Sequence, residues 1–325
     1  MASRVYMASD DLVRKVPEMV DRMDVAFRGK VAVKVHMGEL GNVTHVRPVF
    51  VRRVVDKIKE LGGEPFVIDT PAIYKGDRDT AGKYLKTAAV NGFTKESMGA
   101  EVVIDDTETL INGVGISKKI MDSDALFVVS HGKGHGMSGF GGAIKNVGMG
   151  CPSKNGKAVI HGVNKPTVLD CCIGCGDCAE NCAVNAISIK NGRAVIDYEL
   201  CAGCGGCMGC EQDAIHVSRE KKEELQRVLA RVTKSVLENF ENVAYLNFLL
   251  DITKHCDCFG CYMESIAPNI GVIGSKDIVA IDKASIDLIG KHANLGEIHG
   301  VNPEVQIEEA VKIGLGSRDY ELNRL

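Results

Sequence analysis

Residues 171–217 read CCIGCGDCAENCAVNAISIKNGRAVIDYELCAGCGGCMGCEQDAIHV. Cys172, Cys175 and Cys178 form a C-x2-C-x2-C run, and Cys182 follows four positions after the third. Cys201, Cys204 and Cys207 repeat the run 29 positions later, followed by Cys210. Three thiolates on one tight loop can hold three irons of a cubane, and a fourth must arrive from elsewhere in the chain. Glycines at 174, 176, 203, 205 and 206 suit a loop that wraps a compact group, because Gly reaches positive φ without steric cost. The two runs also end alike, on Ala186-Ile187 and Ala214-Ile215. Ordinary structural roles do not explain duplicated triplets. Zinc ribbons use pairs of C-x2-C, and disulfides are disfavoured because nothing marks the chain as secreted.

Two [4Fe-4S] clusters are therefore expected. In two-cluster ferredoxins the fourth cysteine of each run ligates the other cluster. That crossing assigns Cys172, Cys175, Cys178 and Cys210 to one cluster, and Cys201, Cys204, Cys207 and Cys182 to the other. The stretch resembles bacterial ferredoxins, with departures. Ala183 and Glu211 stand where those proteins usually carry proline, and the second run has two residues instead of three before its last cysteine. Cys171 reads as a neighbour of the cluster and not a ligand.

Outward from this stretch, the chain alternates strands and helices. Strands are expected at 4–8, 30–36, 64–69, 101–104 and 125–130, with helices at 10–27, 47–61 and 80–90, and a short helix opening within 142–148. Beyond the cysteines, 219–240 reads as an amphipathic helix with Leu225, Val228, Leu229, Val232 and Val236 on one face. Strands at 243–252 and 270–273 and helices at 276–289 and 304–313 complete the pattern. The fold class is α/β: a mostly parallel sheet with helices on both faces, interrupted by a two-cluster ferredoxin-like α+β insert. The expected parts are 1–166 and 218–325 for the α/β domain and 167–217 for the insert.

Composition narrows the function classes. The chain has 325 residues, 45% hydrophobic and 25% charged, enough for one large domain plus a small insert. A net charge of −4 leaves no footprint for nucleic acid or anionic membrane. No apolar run approaches a membrane span, and the first residues lack the apolar core of a signal peptide. Thirteen cysteines then point to metal and redox use in a reducing cytoplasm, in an oxygen-poor setting.

In open α/β sheets, ligands sit outside the carboxyl ends of the strands. Those ends carry Lys34, His36 and Glu39, then Asp69, Thr70, Tyr74, Lys75 and Arg78, and then the segment SHGKGHGMSGFGGAIKNVGMGC at 130–151. Glycines before a helix start, with a lysine in the first turn, suit an anion. Gly139, Gly141, Gly142, Lys145 and Asn146 are the expected cofactor- or anion-binding set. Lys34, His36, His131, His135 and Lys145 are the catalytic candidates. The bland alternative is a glycine-rich crossing that lets the insert approach the sheet. A last cysteine group, HCDCFGC at 255–261, supplies Cys256, Cys258 and Cys261. With Cys151 as a fourth ligand they would hold a third metal centre, a [4Fe-4S] cluster or Zn²⁺; the alternative is reduced, partly buried cysteines.

Several of these segments recur together in one family. VAVKVHMGELGNVTHVRPVFV (31–51), PFVIDTPAIYKGDR (65–78), the 130–151 segment, the double cysteine run, DITKHCDCFGC (251–261) and IGVIGSKDIVAID (270–282) appear in that order. In this the chain resembles the uncharacterised iron–sulfur-centre proteins, a ferredoxin-containing branch of domain-of-unknown-function family 362. The resemblance implies an α/β domain with a ferredoxin-like insert and redox work in anaerobic metabolism, without implying a reaction. Relatives tend to have DCDC where this chain has HCDC. The leading expectation is electron transfer between a redox partner protein and a pocket or partner at the glycine-rich edge. A reductase acting on a small anionic ligand, and a cluster carrier or scaffold, are the alternatives.

Overall fold

The structure, a computed structural model, describes residues 2–325. Its centre is an eight-stranded sheet of β1 (Ser3–Ala8), β2 (Gly29–Val35), β3 (Gly63–Asp69), β4 (Val102–Ile104), β5 (Ala125–His131), β6 (Val243–Leu249), β7 (Gly271–Ser275) and β8 (Tyr320–Arg324). The order across the sheet is β8-β1-β7-β6-β5-β2-β3-β4. Both antiparallel pairings involve β7, so the other seven strands run one way. The mostly parallel α/β expectation is met, with one reversed strand. Gly271 lets that strand lie against β1: a Cβ there would sit 2.1 Å from the Ala8 carbonyl oxygen.

Period-two alternation sorts the strand side chains onto two faces. Val31, Val33, Val67, Phe127, Val129 and Phe248 pack toward α1 (Leu12–Met23), α2 (Pro48–Glu60) and α3 (Ala81–Val90). Ala32, Ile68, Leu126, Val128 and Tyr245 face α4 (Ala143–Gly148), α5 (Lys154–His161), α6 (Arg219–Leu237), α7 (Ile278–Gly290) and α8 (Val305–Lys312). On α6, Leu225, Leu229, Val232 and Val236 of the expected stripe are buried and Val228 is half-buried. Each such side chain contributes about 1.5–3 kcal/mol on burial, whereas an exposed ion pair such as Arg219–Glu223 adds about 0.3–0.5 kcal/mol. The apolar stripe holds this helix down. Among the described residues no helix is long and apolar enough to cross a membrane.

α1 is shorter than the expected 10–27 and stops at Met23, where Asp24 turns left-handed at φ 51°. Not among the expected elements are α5, β8, and a hairpin of Glu108–Ile111 with Val114–Ser117. That hairpin turns on Asn112-Gly113, and a second one, Ile187–Lys190 with Arg193–Ile196, turns on Asn191-Gly192. In both turns the Asn and the Gly have positive φ, as a tight two-residue hairpin demands.

The second hairpin lies inside the cysteine-rich segment. Thr167–Val168 enters this segment and pairs antiparallel with Ile215–His216, which leaves it. Between them, Cys178, Ile187, Ala194, Ile196 and Ile215 form a small core of their own.

Candidate functional site

Two groups of cysteines sit in different surroundings. In the first, loops from both runs line one small, partly open cavity of about 10 Å³. Its lining includes Cys172, Cys175 and Cys178 of the first run together with Cys210 of the second. Cys182, the remaining cysteine of the first run, instead shares its surroundings with Cys201 and Cys204. Burial and the neighbouring thiols raise the Cys178 and Cys204 thiols, and Cys207 is pushed up to about 12 by burial, Cys204, Cys201 and Cys178. Backbone N–H groups point at two of the sulfurs: Ala194 donates to Cys172 Sγ at 3.4 Å and Ala186 to Cys182 Sγ at 3.2 Å. Thiols this crowded cannot all ionise unless they share a cation. The donor set therefore fits a polynuclear metal group. Cys171 is exposed, as is Cys175.

The second group lies where β2, β3, β5 and β6 end on one edge of the sheet. Arg78 is buried there and donates from Nε to Glu39 Oε2 at 2.9 Å. Its other nitrogens meet His36 Nε2 at 2.7 Å and the Tyr74 hydroxyl, and its guanidinium lies over the rings of Tyr74 and Tyr84. Cys258 Sγ is 3.6 Å from the same His36 Nε2. It also hydrogen-bonds Cys256 and the Tyr74 hydroxyl. The bond to Cys256 holds the Cys258 thiol well below its ordinary value; burial opposes this, and Arg78 and His36 reinforce it. Cys256 moves the opposite way, raised by the same bond and by burial.

Asp257, between these two cysteines, fixes them in place. The Phe259 N–H donates to the Cys256 carbonyl at 3.2 Å, closing a turn around residues 256–259. The buried Asp257 carboxylate accepts from His131 Nδ1 at 2.9 Å and Lys133 Nζ at 3.0 Å, and its carbonyl accepts from the Glu39 N–H at 3.0 Å. Burial pushes this carboxyl up, but His131 and Lys133 outweigh it and hold Asp257 below the usual carboxylate range.

Most of the other candidates are engaged within the protein. His131 presents its second ring nitrogen to the Leu250 carbonyl oxygen at 2.8 Å, so both nitrogens face acceptors. Lys34 is buried against Asp69 at 2.8 Å and donates to Asn146 Oδ1 at 2.8 Å. Gly139 and Gly141 lie buried in a small hairpin, and Gly142 precedes α4. The anion at the α4 start is the chain's own: the Ala143 and Ile144 N–H groups donate to the Asp282 carboxylate at 2.7 and 2.8 Å. Burial raises Asp282 to about 6 despite these donors. His135 is half-buried, and burial and Lys145 pull it well below its ordinary value, so it stands neutral. Lys145 differs from the rest. Its ammonium makes no hydrogen bond or ion pair among the described residues, although His135, His161 and Cys256 share its surroundings.

The expected four-cysteine third centre is not assembled. The charged neighbours of Cys151 are Lys34, Asp69 and Lys157, and burial pushes its thiol up to about 12, so it behaves as a core residue. Cys261 is exposed. Among the described residues no three His, Cys, Asp or Glu side chains converge on one point, as a zinc ion requires.

Comparisons with known proteins place the chain among relatives. No curated protein matches it. Among solved structures it is similar to the lactate racemase apoprotein from Thermoanaerobacterium thermosaccharolyticum, at TM-score 0.41 and 12% identity over 77% of this chain and 51% of that one. It is also similar to a crystal structure of a protein from Thermotoga maritima, at TM-score 0.43 and 11% identity over 94% of this chain and 59% of that one. The chain thus spans little more than half the length of either. A family described as a domain of unknown function (DUF362) matches residues 31–287, and the chain belongs to it.

Proposed function

We propose that this DUF362 protein is an iron–sulfur electron-transfer protein carrying two [4Fe-4S] clusters. Cys172, Cys175, Cys178 and Cys210 hold one, and Cys201, Cys204, Cys207 and Cys182 hold the other. Residues 167–217 then act as a ferredoxin-like insert in an α/β domain made of 1–166 and 218–325. One observation carries the reading: the cavity lined by three cysteines of one run and the last cysteine of the other. A cubane takes one thiolate per iron, so its sulfurs surround a cage and need not converge on a point.

When bound, the clusters supply reversible one-electron transfer at potentials set by hydrogen bonds to sulfur, charge and exposure. The chain contributes the N–H groups of Ala194 and Ala186, which favour the reduced, more negative state. It also contributes a connection to the sheet edge. Tyr74 Cβ lies 3.7 Å from where a side chain at Gly206 would begin, next to Cys204, and the Tyr74 hydroxyl reaches Arg78 and Cys258. Electrons would pass between a redox partner protein and this edge. Protein reconstituted without oxygen is expected to bind about eight irons and eight sulfides per chain, and to give a paramagnetic signal after dithionite. Folded protein that stays colourless would overturn the assignment.

A second reading, a reductase for a small anionic substrate, rests on the unpaired Lys145 ammonium. Inorganic phosphate or a small carboxylate should then raise the melting temperature of the wild type and leave Lys145→Ala unmoved. Equal shifts in both proteins would remove this reading.

A further inference from the structure

We propose that Cys256 and Cys258 form a dithiol/disulfide couple, with Cys258 as the attacking sulfur in exchange with a small disulfide. The couple is independent of the cluster assignment, because none of its residues belongs to the eight cysteines of the insert. Four observations converge on it. The two cysteines stand two residues apart within a hydrogen-bonded turn, and each thiol is a neighbour of the other. The residue between them is held by His131, Lys133 and the Glu39 N–H, so the turn cannot open without breaking buried charge pairs. Cys258 Sγ lies 3.6 Å from His36 Nε2, which accepts from Arg78, and the Arg78 guanidinium supplies the positive charge for a thiolate. Neither cysteine is fully buried, in contrast to Cys151.

The chemistry balances within the named reactants. The Cys258 thiolate attacks one sulfur of the substrate disulfide, forming a protein–substrate disulfide and expelling one substrate thiolate. Cys256, having lost its proton, then attacks Cys258 Sγ, closing the protein disulfide and expelling the second thiolate. The two expelled thiolates take up the two protons that the cysteines gave up, and two electrons pass from the protein sulfurs to the substrate. Cys256 suits the resolving role because its proton is retained until Cys258 is capped.

The test uses the full-length protein, purified without oxygen and incubated with glutathione disulfide. After acid quench and alkylation, the tryptic peptide 255–276 should carry a Cys256–Cys258 disulfide with Cys261 alkylated. Cys256→Ser should accumulate a glutathione adduct on Cys258, and Cys258→Ser should form adducts at Cys256 at least tenfold more slowly. A measurement without variants guards against misfolding: iodoacetamide at pH 6.5 should modify Cys258 at least tenfold faster than the more exposed Cys261. Three alkylated cysteines after excess glutathione disulfide, or preferential modification of Cys261, would overturn the couple. So would protection of all three together with metal beyond that held by the insert. Iron is counted in every sample, so loss of the clusters registers as failure of the electron-transfer assignment alone.

Discussion

The cysteines of the insert and the cysteines of the sheet edge are the same side chain in opposite electrostatic settings. Around Cys178, Cys204 and Cys207 the nearest ionisable neighbours are other thiols, which raise one another and leave the group short of positive charge. Around Cys258 the neighbouring Cys256 thiol and the buried Arg78 guanidinium favour the thiolate, so the protein itself supplies that charge. A thiol among thiols calls for a shared inorganic cation; a thiol among cations ionises alone and becomes a nucleophile. Spacing finds the first kind in a sequence. Only three-dimensional surroundings reveal the second.

The largest expected effect probes the crossing of the two runs. Cys210→Ser should lower bound iron from about eight to about four per chain. Adding Cys172→Ser to it should cost no further cluster, whereas adding Cys201→Ser should remove the second. The reverse pattern in iron counts would mean that each run closes its own cage.

The next perturbs the sheet edge and leaves the insert alone. Asp257→Asn leaves His131 and Lys133 buried without their carboxylate and should cost about 3–5 kcal/mol in urea unfolding, with iron content unchanged. The depressed Asp257 contributes stability that is present above the ordinary carboxylate range and lost as pH falls through its folded value.

Asp282 works in the opposite sense. Its folded value of about 6 lies above the ordinary 3.8, so it binds its proton more tightly in the folded state. Stability from this group should fall as pH rises from about 4 and level off above about 6, by about 3 kcal/mol in all. Unfolding midpoints between pH 4 and 7 would show it as a slope, and a flat profile there would place the carboxyl in a wetter setting.

The smallest effect belongs to Lys145. An ammonium without partners can be removed almost freely, so Lys145→Ala should shift unfolding free energy by less than about 0.5 kcal/mol. A loss several times larger would reveal a structural partner for its charge.

Much of this architecture was readable from residue pattern. Strands such as ALFVVS and KVAVKV declare themselves through β-branched and apolar runs. The two Asn-Gly hairpins carry a local signal, an Asn-Gly pair between short alternating runs. Other features have no local signature. The reversal of β7 depends on which strands it joins, and the polar strand β8 takes its place only by pairing Tyr320 with Ser3 across the whole chain. Asp257 and Asp282 look like surface carboxylates in sequence, yet both are buried, because burial is decided by what packs over them. The helix start at Gly142 was legible as an anion receptor, but not that the anion would come from α7.

The antiparallel pair of Thr167 with His216 has a further consequence. The chain departs from the larger body and returns to it through a single doorway, with the two jambs already bonded to each other. None of the eight strands of the central sheet lies between those two jambs. Splicing a two-residue Asn-Gly turn between Val168 and Ile215 would leave the main body closed on itself.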